Sequence, residues 1–160
     1  MRLSLRIAMV AIATLVALPC VPAEAQTKKP AHSQAAHKGP HQVVIQITQN
    51  DPAVMNTALN NAENLVKYYE SKGEKVEIEF VAYGPGLFMV RDDTSPVKDR
   101  IASITGSMKN VTVAGCLNTL NNQSKAEHKE IALLPKVQTV QTGIGRIVEL
   151  QERGWTYVRP

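Results

Sequence analysis

The chain has 160 residues, of which 44% are hydrophobic and 20% charged, and its formal net charge is +4. That length suits one domain of about 100 to 150 residues with a terminal extension. Much of the positive excess falls near the N-terminus, at Lys28, Lys29 and Lys38. The rest of the chain is close to neutral and lacks the basic stripe of a nucleic-acid-binding protein, so we expect no nucleic-acid partner.

Residues 1–25 have the pattern of an export signal. Arg2 and Arg6 precede an apolar run over 7–18, and Ala23-Glu24-Ala25 forms a small-x-small cleavage pattern. The apolar run is shorter than the roughly 20 residues that span a membrane. We therefore expect cleavage after Ala25 and a mature protein that is periplasmic or secreted, with no membrane anchor.

Residues 26–41 are predicted to be a disordered linker, because they contain no aliphatic side chain larger than alanine or proline to offset the ordering entropy. The segment carries three of the four histidines, His32, His37 and His41. A metal scavenger is the alternative interpretation. Because no cysteine or carboxylate accompanies these histidines, we expect a solvated spacer, no metal site and no cofactor.

Strands and helices alternate along the remaining domain, 42–160. Apolar or alternating runs predict strands at 42–48, 75–83, 111–116, 137–142 and 155–158. Helix signals lie between them: Pro52 to Gly73, a start at Ser95-Pro96, a capping box at 124–127, and Gly143 to Gly154. The spacing predicts an α/β fold: a three-layer sandwich with a mostly parallel sheet of about five strands and helices on both faces.

An apolar cluster, Leu87 to Val90, follows the Gly84-Pro85-Gly86 loop. An exposed patch of this kind needs covering, so the cluster favours self-association.

Cys116 ends an apolar strand and is expected to be the single thiol of the mature chain. The other cysteine, Cys20, lies in the export signal, so Cys116 has no disulfide partner within the mature subunit. A helix that starts after the strand would supply free N–H groups and a positive dipole end that favour a thiolate. The alternative is a small, inert core residue.

The carboxyl ends of parallel strands meet at one edge of a sheet, where ligands gather. Three loops are expected to meet there, and their candidate cleft-lining residues are Asp51, Tyr83, Gly84, Gly86, Asn118 and Thr119. A purely structural interpretation is favoured for several of them. Asp51 suits a helix cap better than a catalytic base, and the Tyr83 to Gly86 segment suits an ordinary turn. Gly143-Ile144-Gly145, before the last helix, is a weak signal for an anion site.

Spaced motifs resemble one known family in the same order. They are Asn50-Asp51-Pro52, Ala58-Leu59-Asn60-Asn61-Ala62, Val81-Ala82-Tyr83-Gly84-Pro85-Gly86-Leu87, Cys116-x-Asn118-Thr119 and Gly154-Trp155-x-Tyr157-x-Arg159-Pro160. Over almost all of 42–160 the chain resembles the exported branch of the DsrE/DsrF-like family. The resemblance implies the fold predicted above, assembly as homotrimers or hexamers, and sulfur relay through a cysteine persulfide, which maps onto Cys116.

Two functions therefore remain from the sequence. The first is a sulfur-handling protein with Cys116 as persulfide acceptor, served by a sulfur donor or another small molecule. The second is a non-catalytic oligomeric binding module in which Cys116 packs, so whether the protein is an enzyme is left open. Because the mature chain has no second cysteine, a resolving step within one subunit is excluded.

Overall fold

The computed structural model describes residues 39–160. The export signal, Cys20, His32 and His37 lie outside the described residues. The described part contains five parallel strands in the sheet order β4-β3-β2-β1-β5. The elements are β1 (His41–Ile47), α1 (Pro52–Ser71), β2 (Val76–Ala82), a 3₁₀ helix (Gly84–Val90), α2 (Lys98–Ser107), β3 (Val111–Cys116), α3 (Leu117–Glu127), β4 (Gln138–Val140), α4 (Gly143–Glu152) and β5 (Thr156–Val158).

The order of the strands explains the distribution of the helices. The connections from β1 to β2, from β2 to β3 and from β3 to β4 each move one strand position in the same direction. Right-handed crossovers therefore put α1, α2 and α3 on one face of the sheet. The connection from β4 to β5 runs the opposite way, so α4 lies on the other face. The predicted three-layer sandwich is confirmed, with one face carrying most of the helices.

Alternate strand residues supply two apolar clusters, one on each face of the sheet. Val43, Ile45 and Ile47 of β1 belong to the larger cluster, together with buried residues of α1 and α2. Val44 and Val81 belong to a smaller cluster with Ile147 and Leu150 of α4. Because β2 is covered on both faces, only its Glu77 is not buried.

Two details of the predicted elements are wrong. The capping box at 124–127 does not start a helix, because α3 already begins at Leu117 and these residues form its last turn. His41 belongs to β1 rather than to the linker, where its Nε2 lies 2.9 Å from Glu74 Oε2 and its ring stacks on Tyr69. The folded domain therefore starts one residue earlier than predicted.

The Leu87 to Val90 cluster is not a surface patch. Leu87, Met89 and Val90 are fully buried in the larger cluster and Phe88 packs against it, because the 3₁₀ helix turns this run back onto the sheet. The reason given for self-association is therefore wrong. The large exposed apolar side chains of residues 39–160 lie elsewhere, at Tyr68, Ile144, Val148 and Tyr157. No helix among the described residues is long and apolar enough to cross a membrane.

The carboxyl ends of β3 and β4 form a topological switch point. β3 leads into α3 on one face, and the neighbouring β4 leads into α4 on the other face. Connections that diverge in this way leave a crevice at the sheet edge, the usual ligand position in open α/β sheets. Cys116, the last residue of β3, lies at this switch point.

Candidate functional site

The sulfur of Cys116 lies against the N-terminal ends of two helices. Cys116 is the N-cap of α3, and its Sγ accepts the N–H of Thr119 at 3.4 Å. The backbone N–H groups of Gly143, the first residue of α4, and of Asn118 also act on the thiol and lower its pKa. Both helices thus direct free N–H groups and the positive ends of their dipoles at one atom, an arrangement that favours a thiolate.

The hydroxyl of Thr119 acts on the same sulfur and also lowers the pKa of the thiol. Its Oγ1 also accepts the N–H of Gly84 at 3.0 Å. Because that N–H occupies a lone pair of the oxygen, the hydroxyl hydrogen is left to donate to Cys116. Thr119 thus joins the loop that follows β2 to α3 beside the thiol.

The pKa of Cys116 is lowered from its ordinary value. Burial is the largest influence and acts to raise the pKa, but the hydrogen bonds from Thr119, Gly143 and Asn118 together outweigh it. The residue is 4% exposed, yet it belongs to neither apolar cluster of the core. The thiol is therefore buried beside the Thr119 N–H and outside both apolar clusters.

A polar bridge joins the two turns of the switch point. The N–H of Asn118 donates to the carbonyl oxygen of Gln141 at 3.3 Å, and the Gln141 side-chain amide donates to Asn118 Oδ1 at 3.0 Å. Both residues are exposed. The bridge keeps the start of α3 beside the segment that leads into α4, and it lies at the surface next to the buried sulfur.

Tyr83 packs directly against Gly143. A Cβ added to Gly143 would lie 2.6 to 2.8 Å from ring and Cβ atoms of Tyr83, so only glycine lets the ring and the start of α4 come this close. The Tyr83 hydroxyl accepts from the amide of Gln46, whose oxygen accepts from the Tyr157 hydroxyl. Burial, followed by Tyr157, raises the pKa of Tyr83, which keeps the phenol protonated at neutral pH.

Gly143→Ala is expected to raise the pKa of Cys116 and to slow its alkylation at neutral pH by about three- to tenfold, because the added methyl pushes the Gly143 N–H away from the sulfur. The measurement is the rate of iodoacetamide modification against pH. Gly145→Ala on the same helix is the matched control. Its new Cβ meets the Thr142 methyl at 2.6 Å, and that side chain makes no cap hydrogen bond and can rotate. Equal pH profiles for both variants would contradict the role of Gly143.

The structure gathers most of the candidate residues around the thiol. Tyr83, Gly84, Asn118 and Thr119 are connected to Cys116 by the contacts described above. Asp51 instead caps α1, accepting the N–H of Ala53 at 2.8 Å, as its alternative interpretation states. Gly86 is buried with its Cα against the backbone of Ile47, so it positions the loop rather than lines a cleft.

Sequence reasoning missed Gly143 and Gln141 as neighbours of the thiol. The sequence does contain a signal for Gly143, because the Gly143-Ile144-Gly145 pattern before the last helix is a weak signal for an anion site. Within residues 39–160 no group of three or more His, Cys, Asp or Glu side chains is arranged to hold a metal ion.

Fold and site together define a class: parallel three-layer α/β proteins with a thiol held by two helix N-termini at the switch point of the sheet. The chain is similar to MTH1491 from Methanobacterium thermoautotrophicum, a protein of unknown function, with 33% sequence identity and a TM-score of 0.62 over 75% of this chain and 99% of that one. The chain belongs to the same family as MTH1491. No protein-family model and no curated protein matches it.

Proposed function

We propose that this protein is a sulfur carrier that accepts a sulfane sulfur on Cys116 as a persulfide. The observation that carries the proposal is the convergence of N–H groups from α3 and α4 on one sulfur atom. Donors that stabilise a thiolate also suit a persulfide anion, whose charge lies one bond further out. The DsrE/DsrF-like motifs support the same chemistry, and the pattern of residues 1–25 supports a periplasmic or secreted location.

The transfer needs no external oxidant. With thiosulfate as donor, the Cys116 thiolate attacks the outer sulfur and a new S–S bond forms. The bond between that sulfur and the sulfonate sulfur breaks, and its electron pair leaves with sulfite. The product is a Cys116 persulfide anion, so the total charge is unchanged. An acceptor thiolate then removes the terminal sulfur and regenerates Cys116.

Each group at the site has a role in this chemistry. The N–H groups of Thr119 and Gly143 favour the Cys116 thiolate before transfer, and the positive ends of the α3 and α4 dipoles favour the persulfide anion after it. Cys116 is the one free cysteine among residues 39–160, so sulfur is passed on to a thiol outside this part of the chain. The protein therefore acts as a carrier between a donor and an acceptor.

Incubating the mature protein with thiosulfate or inorganic polysulfide is expected to add the mass of one sulfur atom, and dithiothreitol is expected to remove it. Cys116→Ser is the control and is expected to gain nothing, because a hydroxyl at this position does not form a persulfide. Intact-protein mass spectrometry measures both. An unchanged mass in the native protein, or an equal gain in Cys116→Ser, would contradict the proposal.

A second candidate is a non-catalytic oligomeric binding module, favoured by the 4% exposure of Cys116 and by the exposed Ile144 and Val148 on α4. In that case the apolar side chains of α4 contact another subunit and Cys116 only packs. The two functions differ in one observable. A packing cysteine alkylates only when the protein unfolds, whereas a carrier thiol alkylates in the native state.

A further inference from the structure

A fully buried arginine lies behind the thiol site. The Arg91 side chain is 0% exposed and packs over the Phe88 ring at 4.6 Å. Its Nε and Nη2 donate to both oxygens of Asp93 at 2.9 and 2.8 Å, and Nη1 and Nη2 donate to both oxygens of Glu127 at 2.5 and 2.8 Å. Four of the five guanidinium hydrogens are thereby used by carboxylates.

The fifth hydrogen fixes the side chain of Gln123. Arg91 Nη1 donates to Gln123 Oε1 at 3.1 Å, and Gln123 Nε2 donates to the carbonyl oxygen of Gly84 at 3.2 Å. A flipped amide would set NH₂ against the guanidinium and oxygen against a carbonyl, two repulsive contacts. Because arginine has no acceptor, the orientation of this amide is determined by its neighbours.

Gly84 is held from both sides by α3. Gln123 binds its carbonyl oxygen, and Thr119, four residues earlier on the same helix face, binds its N–H at 3.0 Å. Gly84 has a φ of +55°, a conformation in which glycine is favoured. Thr119, whose hydroxyl receives this N–H, donates its own backbone N–H to the Cys116 sulfur at 3.4 Å.

We infer that Gln123 is a positioning residue for the Cys116 thiolate, acting through Gly84 and the Thr119 hydroxyl, with the Arg91 cluster as its rigid support. The contacts that run from Arg91 through Gln123 and Gly84 to Thr119, whose backbone N–H donates to the sulfur at 3.4 Å, carry the inference. Gln123 touches neither the sulfur nor a donor molecule. The inference rests on the proposed function only in taking Cys116 to act as a thiolate.

The test measures thiol acidity without any sulfur donor, so its outcome is separate from that of the sulfur-transfer experiment. Gln123→Met keeps the length of the side chain but removes both amide groups. We expect the apparent pKa of Cys116, read from iodoacetamide rates against pH, to rise, with about three- to tenfold slower alkylation at neutral pH. Asn122→Met, at an exposed position of the same helix, is the matched control and is expected to leave the profile unchanged.

A double-mutant cycle separates positioning from a general structural effect. Thr119→Val removes the hydroxyl donor and is expected to raise the pKa by itself. If Gln123 acts through that hydroxyl, adding Gln123→Met to Thr119→Val shifts the pKa no further. Independent, additive shifts would overturn the inference. So would a Gln123→Met protein that melts at a lower temperature with an unchanged pKa.

Should Gln123→Met fail to fold, Gln123→Asn is the second variant, because its amide is one methylene shorter. It is expected to raise the pKa of Cys116, and an unshifted value would equally overturn the inference.

Discussion

Gly86→Ala is expected to lower the free energy of unfolding by at least about 3 kcal/mol. The added Cβ would lie 2.2 Å from the carbonyl oxygen of Ile47, 2.5 Å from its carbonyl carbon and 2.7 Å from the N of Thr48. All three are backbone atoms at the carboxyl end of β1, an inner strand of the sheet. No side-chain rotation therefore relieves the clash. The loop is also fixed on its other side, because Leu87 is fully buried.

Chemical denaturation of the variant and the wild-type protein measures this loss. Gly106→Ala is the matched control, since its new Cβ has only the Lys136 Nζ atom nearby, at 3.9 Å, and lies within α2. It is expected to stabilise the protein by about 0.5 to 1 kcal/mol, because alanine loses less backbone entropy in a helix than glycine. A Gly86→Ala protein as stable as the wild type would show that this close backbone contact is absent.

Glu127→Gln is expected to destabilise the protein at neutral pH. The variant leaves the Arg91 charge fully buried with one carboxylate in place of two. Breaking a fully buried pair costs about 3 to 5 kcal/mol, and the effect is smaller here because the Glu127 carboxylate is 33% exposed and partly screened by water.

The effect of Glu127→Gln also depends on pH. The hydrogen bonds from Arg91 are the main reason that the pKa of Glu127 falls to about 2, and Arg91 also lowers the pKa of Asp93. A carboxylate with a lowered pKa stabilises the fold fully above its unfolded pKa and loses this contribution as pH falls through the folded value. The difference between wild type and variant should therefore shrink from about pH 4.5 towards about pH 2. Thermal melts across this range measure it. Glu130→Gln, at an exposed position, is the control, and an equal effect of both variants would contradict the account.

The fold class could be predicted because the strand and helix patterns each follow from local chemistry. The apolar and alternating run at 75–83 predicted β2, and Asp51-Pro52 marked the start of α1. The start of α3 could not be predicted in this way. Its first turns are rich in asparagine, a weak helix former, and its N-cap is a cysteine.

Tertiary contacts stabilise α3 where local propensity does not. Leu120 packs against the larger apolar cluster, Gln123 binds Gly84, and Glu127 binds Arg91. The glutamate that suggested a capping box therefore serves the buried arginine instead. Arg91 itself looks like a surface residue in the sequence, because nothing in its local pattern indicates burial and its carboxylate partners include one on a distant helix.

The candidate site could be predicted only in part, because some of its residues meet through tertiary contacts. Cys116, Asn118 and Thr119 are contiguous, and the strand end that presents them is visible in the sequence. Gly143 reaches the sulfur only because β3 and β4 are neighbours whose connections leave to opposite faces. Strand order is a property of the whole sheet, so local patterns do not reveal this second helix end.

The apparent pKa of Cys116 in the folded protein tests the central claim most directly. Iodoacetamide rates measured against pH on the native mature protein give this value, with the unfolded protein as reference. A thiol held by N–H groups of α3 and α4 is expected to alkylate in the native state with a pKa below that of the unfolded chain. A native thiol that stays unreactive until the protein unfolds, or one whose pKa lies above the unfolded value, would contradict the account and leave Cys116 as a packing residue.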